Sequence, residues 1–152
     1  MKAFHKGIFA GIVILILAAS SIAAVLPSEQ NCDKSKAFSL SSNIETGTIR
    51  VYIQNNSVCK YQGFLTVAVG ECLNPLADCT NPTNLKSKLG PFIKLFTFQP
   101  KSSETYTITR VSNKDLRPGA IYYLVAYIEE NNDGEAGFEF AKYLKEFVYG
   151  QL

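Results

Sequence analysis

The chain has 152 residues, of which 12% are aromatic, and a formal net charge of +2. That length allows one domain plus a targeting segment, and the Phe and Tyr content is enough for a real core, which excludes global disorder. Near-neutrality leaves no electrostatic footprint for nucleic acid. The single histidine is His5, ahead of the hydrophobic segment, so the remainder cannot run Ser-His-Asp or Cys-His catalysis or hold a metal through imidazole.

The N-terminus reads as an export signal. Met1 to Gly7 is short and basic, and the 19 residues from Ile8 to Leu26 carry no charge. Pro27 then stops any helix, and Ser28-Glu29-Gln30-Asn31 is polar. Loss of this segment removes Lys2 and Lys6 and leaves 13 basic residues against 13 acidic ones. Three readings are open. Small residues at Ser21-Ile22-Ala23 fit a secretory signal peptide cut after Ala23. The apolar run is also long enough to stay as a membrane anchor, with Lys2 and Lys6 held inside. Lys6-Gly7 directly before the apolar run resembles the processing site of archaeal class III signal peptides, found in archaeal type IV pilins and archaellins. That resemblance implies a cut after Gly7, a retained filament helix and an immunoglobulin-like β-domain behind it. The chain departs from bacterial pilins at Ile12, where many of those carry an acidic residue. Residues 1–26 are thus a signal peptide or a membrane or filament helix, 27–36 a linker and 37–152 the folded domain.

Strand signals dominate the domain. A first strand is expected near Ala37 to Leu40. Thr48 to Gln54 alternates, with Ile49, Val51 and Ile53 on one face, and Asn55-Asn56-Ser57 is a turn. Phe64 to Val69 is the next strand, ended by Gly70, and Cys72 to Leu89, rich in Asn, Ser and Pro, reads as a loop. Phe92 to Phe98 is a strand stopped by Pro100. Thr105 to Val111 alternates with Tyr106 and Ile108 inward, and Ile121 to Ile128 is the most β-prone run. Asn131-Asn132-Asp133-Gly134 is a hairpin turn. Phe138 to Tyr149 is the last strand, with Ala141 to Phe147 open to a helical alternative. About seven short strands with frequent turns predict an all-β sandwich.

Leu116-Arg117-Pro118-Gly119-Ala120-Ile121-Tyr122, followed by Leu124 and Ala126, resembles the corner of fibronectin type III and related immunoglobulin-like domains. The resemblance implies that Leu116 plugs the core, Pro118 and Gly119 turn the chain, and the Tyr122 hydroxyl bonds back to upstream backbone. The tryptophan usual in the second strand of that family is missing.

Four cysteines remain outside the N-terminal segment: Cys32, Cys59, Cys72 and Cys79. An even count in an exported domain predicts two disulfides, with three possible connectivities. Cys72–Cys79 is favoured because it closes a short loop after a strand. That leaves Cys32–Cys59, which the fibronectin-like resemblance makes sensible, since the chain start and the loop between strands two and three lie at one end of such a domain. A four-thiolate zinc site is the competing reading, against which stands the lack of paired C-x-x-C knuckles.

Other candidate sites each have a plainer alternative. Glu129, Glu130, Asp133 and Glu135 cluster at the hairpin turn, where hard oxygen ligands suit Ca²⁺; a solvated acidic turn is the simpler account, and no metal or other cofactor is expected. A glycosidase-like carboxylate pair there would make Glu130 the residue to test. Asn55-Asn56-Ser57 matches an N-glycosylation acceptor, while Asn81-Pro82-Thr83 fails through its proline. If Tyr122, Leu124 and Ala126 face the core, then Tyr123, Val125 and Tyr127 face outward beside Phe64, Thr66 and Ala68. Such an apolar patch marks an interaction surface unless a loop or the last strand covers it.

These observations predict an exported structural or adhesive module, not an enzyme, at the cell surface or outside the cell. Its partners are proteins, copies of itself included, with membrane contact through residues 8–26 if that segment is kept. A filament subunit, pilin-like or joined by strand exchange, is the alternative. A secreted enzyme would have to work with carboxylates alone.

Overall fold

The computed structural model describes residues 32–74, 76–131 and 137–150. Period-two alternation of apolar residues builds seven strands: β1 (Phe38–Glu45), β2 (Thr48–Asn55), β3 (Tyr61–Cys72), β4 (Leu85–Phe98), β5 (Ser103–Thr109), β6 (Ile121–Glu130) and β7 (Glu139–Val148). Two single 3-10 turns, Lys34–Lys36 and Pro82–Asn84, are the helical content among the described residues. A two-residue turn, with Gly47 at φ 80°, joins β1 to β2. All pairing is antiparallel, and the strands form a three-stranded sheet, β1-β2-β5, and a four-stranded sheet, β4-β3-β6-β7.

The two sheets share one core. Ile49, Val51 and Ile53 of β2 pack in the same cluster as Leu65, Val67 and Val69 of β3 and Leu124, Ala126 and Ile128 of β6, all fully buried. At one end four rings from both sheets meet. Phe38 of β1 lies 4.7 Å from Phe98, 5.3 Å from Phe140 and 5.5 Å from Tyr61, centroid to centroid. At the other end Leu116 is fully buried, and the Tyr122 hydroxyl accepts the Arg117 backbone N–H at 2.8 Å. Tyr149, equally buried, donates its hydroxyl to the Val111 carbonyl at 3.0 Å. Each buried phenol thus has a partner for its polar tip, as burial requires. Gly119, at φ 77°, makes the turn between them and donates its N–H to the Tyr149 carbonyl.

Two readings of the sequence need correction. The first strand is twice as long as expected and runs on through Ser41, Ser42 and Asn43 to Glu45; as an edge strand it leaves these polar side chains partly in water. The segment read as a loop to Leu89 is strand from Leu85 onward. There Lys86 and Ser87 face Glu71 and Gly70 across the ladder, and β4 continues through Gly90-Pro91, where the register shifts and the peptide bond is cis. The last strand is as expected: all of Ala141 to Phe147 pairs with β6, which rules out the helical alternative.

β4 is an edge with an unusual inner residue. Lys94 sits opposite Leu65, on the core-facing row between Phe92 and Phe96. Its ammonium leaves the core sideways, 4.7 Å from the centroid of Phe96 and 6.0 Å from that of Tyr106 on the facing sheet.

Candidate interaction surface

The outer face of the four-stranded sheet gathers the apolar side chains that the core does not use. Across it, Ile93 of β4 stands beside Thr66 of β3 and Tyr127 of β6, and Leu95 stands beside Phe64. The next rows pair Ala68 with Val125 and Gly70 with Tyr123, and β7 adds Lys142, Leu144 and Glu146 opposite Tyr127, Val125 and Tyr123. Ile93 and Leu95 are 63% and 46% exposed, Phe64, Tyr123 and Tyr127 are half-buried, and Val125 and Thr66 are buried.

Val125 is buried because the segment after β3 folds back over the sheet. Cys72–Cys79 closes this segment at its base. Its polar residues satisfy their own backbone: the Asp78 carboxylate accepts the Thr80 N–H and hydroxyl, and Asn81 accepts the Thr83 N–H. The Thr80 bonds hold the Asp78 carboxyl below its usual range. Between Pro82 and Leu85 on this segment and Ala68, Val125 and Tyr127 on the sheet lies an open apolar cleft of about 230 Å³. Leu76, at the tip of the loop, is 93% exposed. The outward patch read from the sequence is therefore one surface, but its centre is sheltered, and it extends to Ile93, Leu95 and Leu144. The alternation of Phe92, Phe96 and Phe98 inward was the signal that puts Ile93 and Leu95 on the outer face.

Tyr123 is anchored within that surface. Its hydroxyl donates to the Glu146 carboxylate at 2.8 Å. That bond raises the phenol pKa above its usual value, with smaller contributions from burial and from the charges of Glu146 and Asp78.

The four cysteines pair as Cys32–Cys59 and Cys72–Cys79, which leaves no thiolate for zinc. Of the acidic turn, Asp133 and Glu135 lie outside the described residues, as do the processing positions Gly7 and Ala23. Glu129 is exposed, and Glu130 forms an ion pair with Lys34 at 2.6 Å. No group of three or more metal-ligating side chains occurs among the described residues.

The structure places Asn55, the residue of the glycosylation pattern, in the interior. Asn55 is 0% exposed; its amide donates to the Cys59 and Gln99 carbonyls at 2.9 and 2.8 Å and accepts the Ser57 N–H. A glycan on Nδ2 would take the hydrogen of one of these two donated bonds and would need this buried side chain to turn outward. The side chain ties the β2–β3 connection to the end of β4 instead. Asn55→Ala should cost about 2–3 kcal/mol of unfolding free energy in denaturant titration, because buried carbonyls lose their donors. A loss under about 0.5 kcal/mol would show that water replaces the amide.

No protein-family model matches the chain, and no curated protein matches it.

Proposed function

We propose that this chain is an exported structural or adhesive module, immunoglobulin-like and of the fibronectin type III-like kind, that acts at the cell surface by protein–protein contact. Three strands facing four, and a corner in which Tyr122 bonds back to Arg117 over a plugged Leu116, support the fold assignment. Two disulfides fit an oxidising compartment. The observation that carries the functional reading is the outer sheet face, where Ile93, Leu95, Phe64 and Tyr127 form an uncharged surface next to an apolar cleft.

Replacing Tyr123 and Tyr127 with Ser tests it. In the full-length chain displayed on its own cells, adhesion or self-association should weaken about tenfold, which corresponds to about 1.4 kcal/mol of lost contact. The unfolding midpoint should stay within a few degrees. Undiminished binding sinks the reading, and unfolding would make the two tyrosines core residues.

Lys6-Gly7 before the uncharged run Ile8 to Leu26 supports a second reading, a filament subunit. The first residue of the exported chain separates the cases. A start at Ile8 means a pilin-like subunit, a start at Ala24 a secreted module, and an intact Met1 an anchored one. Among the described residues no helix is long and apolar enough to cross a membrane.

A further inference from the structure

We infer that β7 is a self-pairing edge, through which two copies of this chain join antiparallel about a two-fold axis at Leu144. The inference rests on the reading above only in taking protein contact as the function, and it uses a different surface, the margin of the sheet.

Three observations carry it. First, β7 ends the four-stranded sheet, and it is long, running ten residues from Glu139 to Val148. Apart from its ladder to β6, the backbone bonds here fall just beyond its two ends: Phe138 with Glu130, and Tyr149 with Gly119 and Ala120. β7 packs against β1 and the Lys34–Lys36 turn, but among the described residues no backbone bond is made along its other margin, which leaves a row of N–H and C=O groups as a template for another strand. Second, β7 contains neither proline nor glycine, whereas β4, at the opposite margin, has Gly90-Pro91 mid-strand.

Third, the charges of β7 are self-complementary in one register. The outer row reads Lys142, Leu144, Glu146, with both charged residues exposed. With the axis at Leu144, Lys142 of one copy lies directly opposite Glu146 of the other, twice, and Leu144 faces its own copy. On the inner row Lys145 meets Tyr143, whose hydroxyl shares a hydrogen bond with Ser42 at 3.1 Å. Opposite charges across a ladder attract, and like charges repel. Moving the axis to Lys142, Lys145 or Glu146 opposes that residue with its own copy, and moving it to Tyr143 leaves Lys142 and Glu146 without each other. The Glu146 carboxylate is already held by Tyr123 at 2.8 Å, so less side-chain freedom is lost on pairing.

The test uses the full-length chain. Leu144→Cys should form an oxidative cross-link between copies, because residues directly opposite in an antiparallel pair bring their Cβ atoms within disulfide reach. Cys32–Cys59 and Cys72–Cys79 should map intact in that product. Tyr52→Cys, exposed on β2 of the other sheet, should not cross-link. Lys142→Glu and Glu146→Lys should each weaken self-association about tenfold or more. The two together should restore it, since the swap recreates both pairs. A folded Leu144→Cys chain that does not cross-link overturns the inference, as does equal cross-linking at Tyr52→Cys, or a double swap no better than the single reversals. Ile93→Ser, on β4 and separated from β7 by two strands, leaves β7 untouched, so failure of the outer-face reading shows in that variant and failure of this inference in the β7 variants.

Discussion

Truncating Phe38 to alanine should cost about 4 kcal/mol of unfolding free energy, the middle of the range for a buried aromatic cut back to a methyl. Phe38 is the only ring from the three-stranded sheet in a cluster whose other members, Tyr61, Phe98 and Phe140, belong to the four-stranded one. Its tilted and edge-on contacts, at centroid distances of 4.7 to 5.5 Å, each add a part of about 0.5–1.5 kcal/mol beyond the area buried. Phe38→Leu keeps most of the volume and should lose only about 1–2 kcal/mol. Equilibrium denaturation of both variants checks the ordering. If alanine costs less than leucine, or under about 1 kcal/mol, the sheets are not joined through this ring.

Removing Cys32–Cys59, by Ala at both positions, should be the next largest loss. The bridge spans 27 residues of chain, and the entropy withheld from the unfolded state gives about 3.5 kcal/mol. Cys72–Cys79 spans only 7, for which the same relation gives about 2.4 kcal/mol. The longer bridge also fixes the start of the domain to the β2–β3 connection, whose carbonyl at Cys59 is held by Asn55. Paired double-alanine variants compared by denaturant midpoint decide the order. A larger loss on opening Cys72–Cys79 would mean that the loop over Val125, rather than chain entropy, sets the effect.

The local features were legible and the non-local ones were not. The inward row of β2 follows from alternation alone, since Ile49, Val51 and Ile53 are apolar with polar or tyrosine neighbours between them, whereas that of β6 follows from the corner that turns Tyr122 inward. The corner from Leu116 to Tyr122 is a contiguous stretch, so its hydrogen bond could be anticipated. β1 was cut short because Ser41, Ser42 and Asn43 have loop-like chemistry; only the pairing with β2 makes them strand. Leu85 to Leu89 was hidden in the same way, behind a polar run, until β3 supplied its partner. Asn55 fits a three-residue acceptor pattern, and nothing in three residues reports that Gln99 and Cys59 close over it. The outward direction of Tyr123, Val125 and Tyr127 is local, but the cover over Val125 comes from a distant segment of the chain that holds Pro82 and is anchored at Cys72 and Cys79.

Gly90-Pro91 gives the four-stranded sheet unequal margins. A strand laid against β4 would meet a proline with no N–H to offer and a shifted register beside it, so the added ladder would break mid-strand. With β7 paired to its own copy, the ladder would stop at two sheets and would not template an endless ribbon. Any long polymer built from this chain must take its continuity from a contact other than β4.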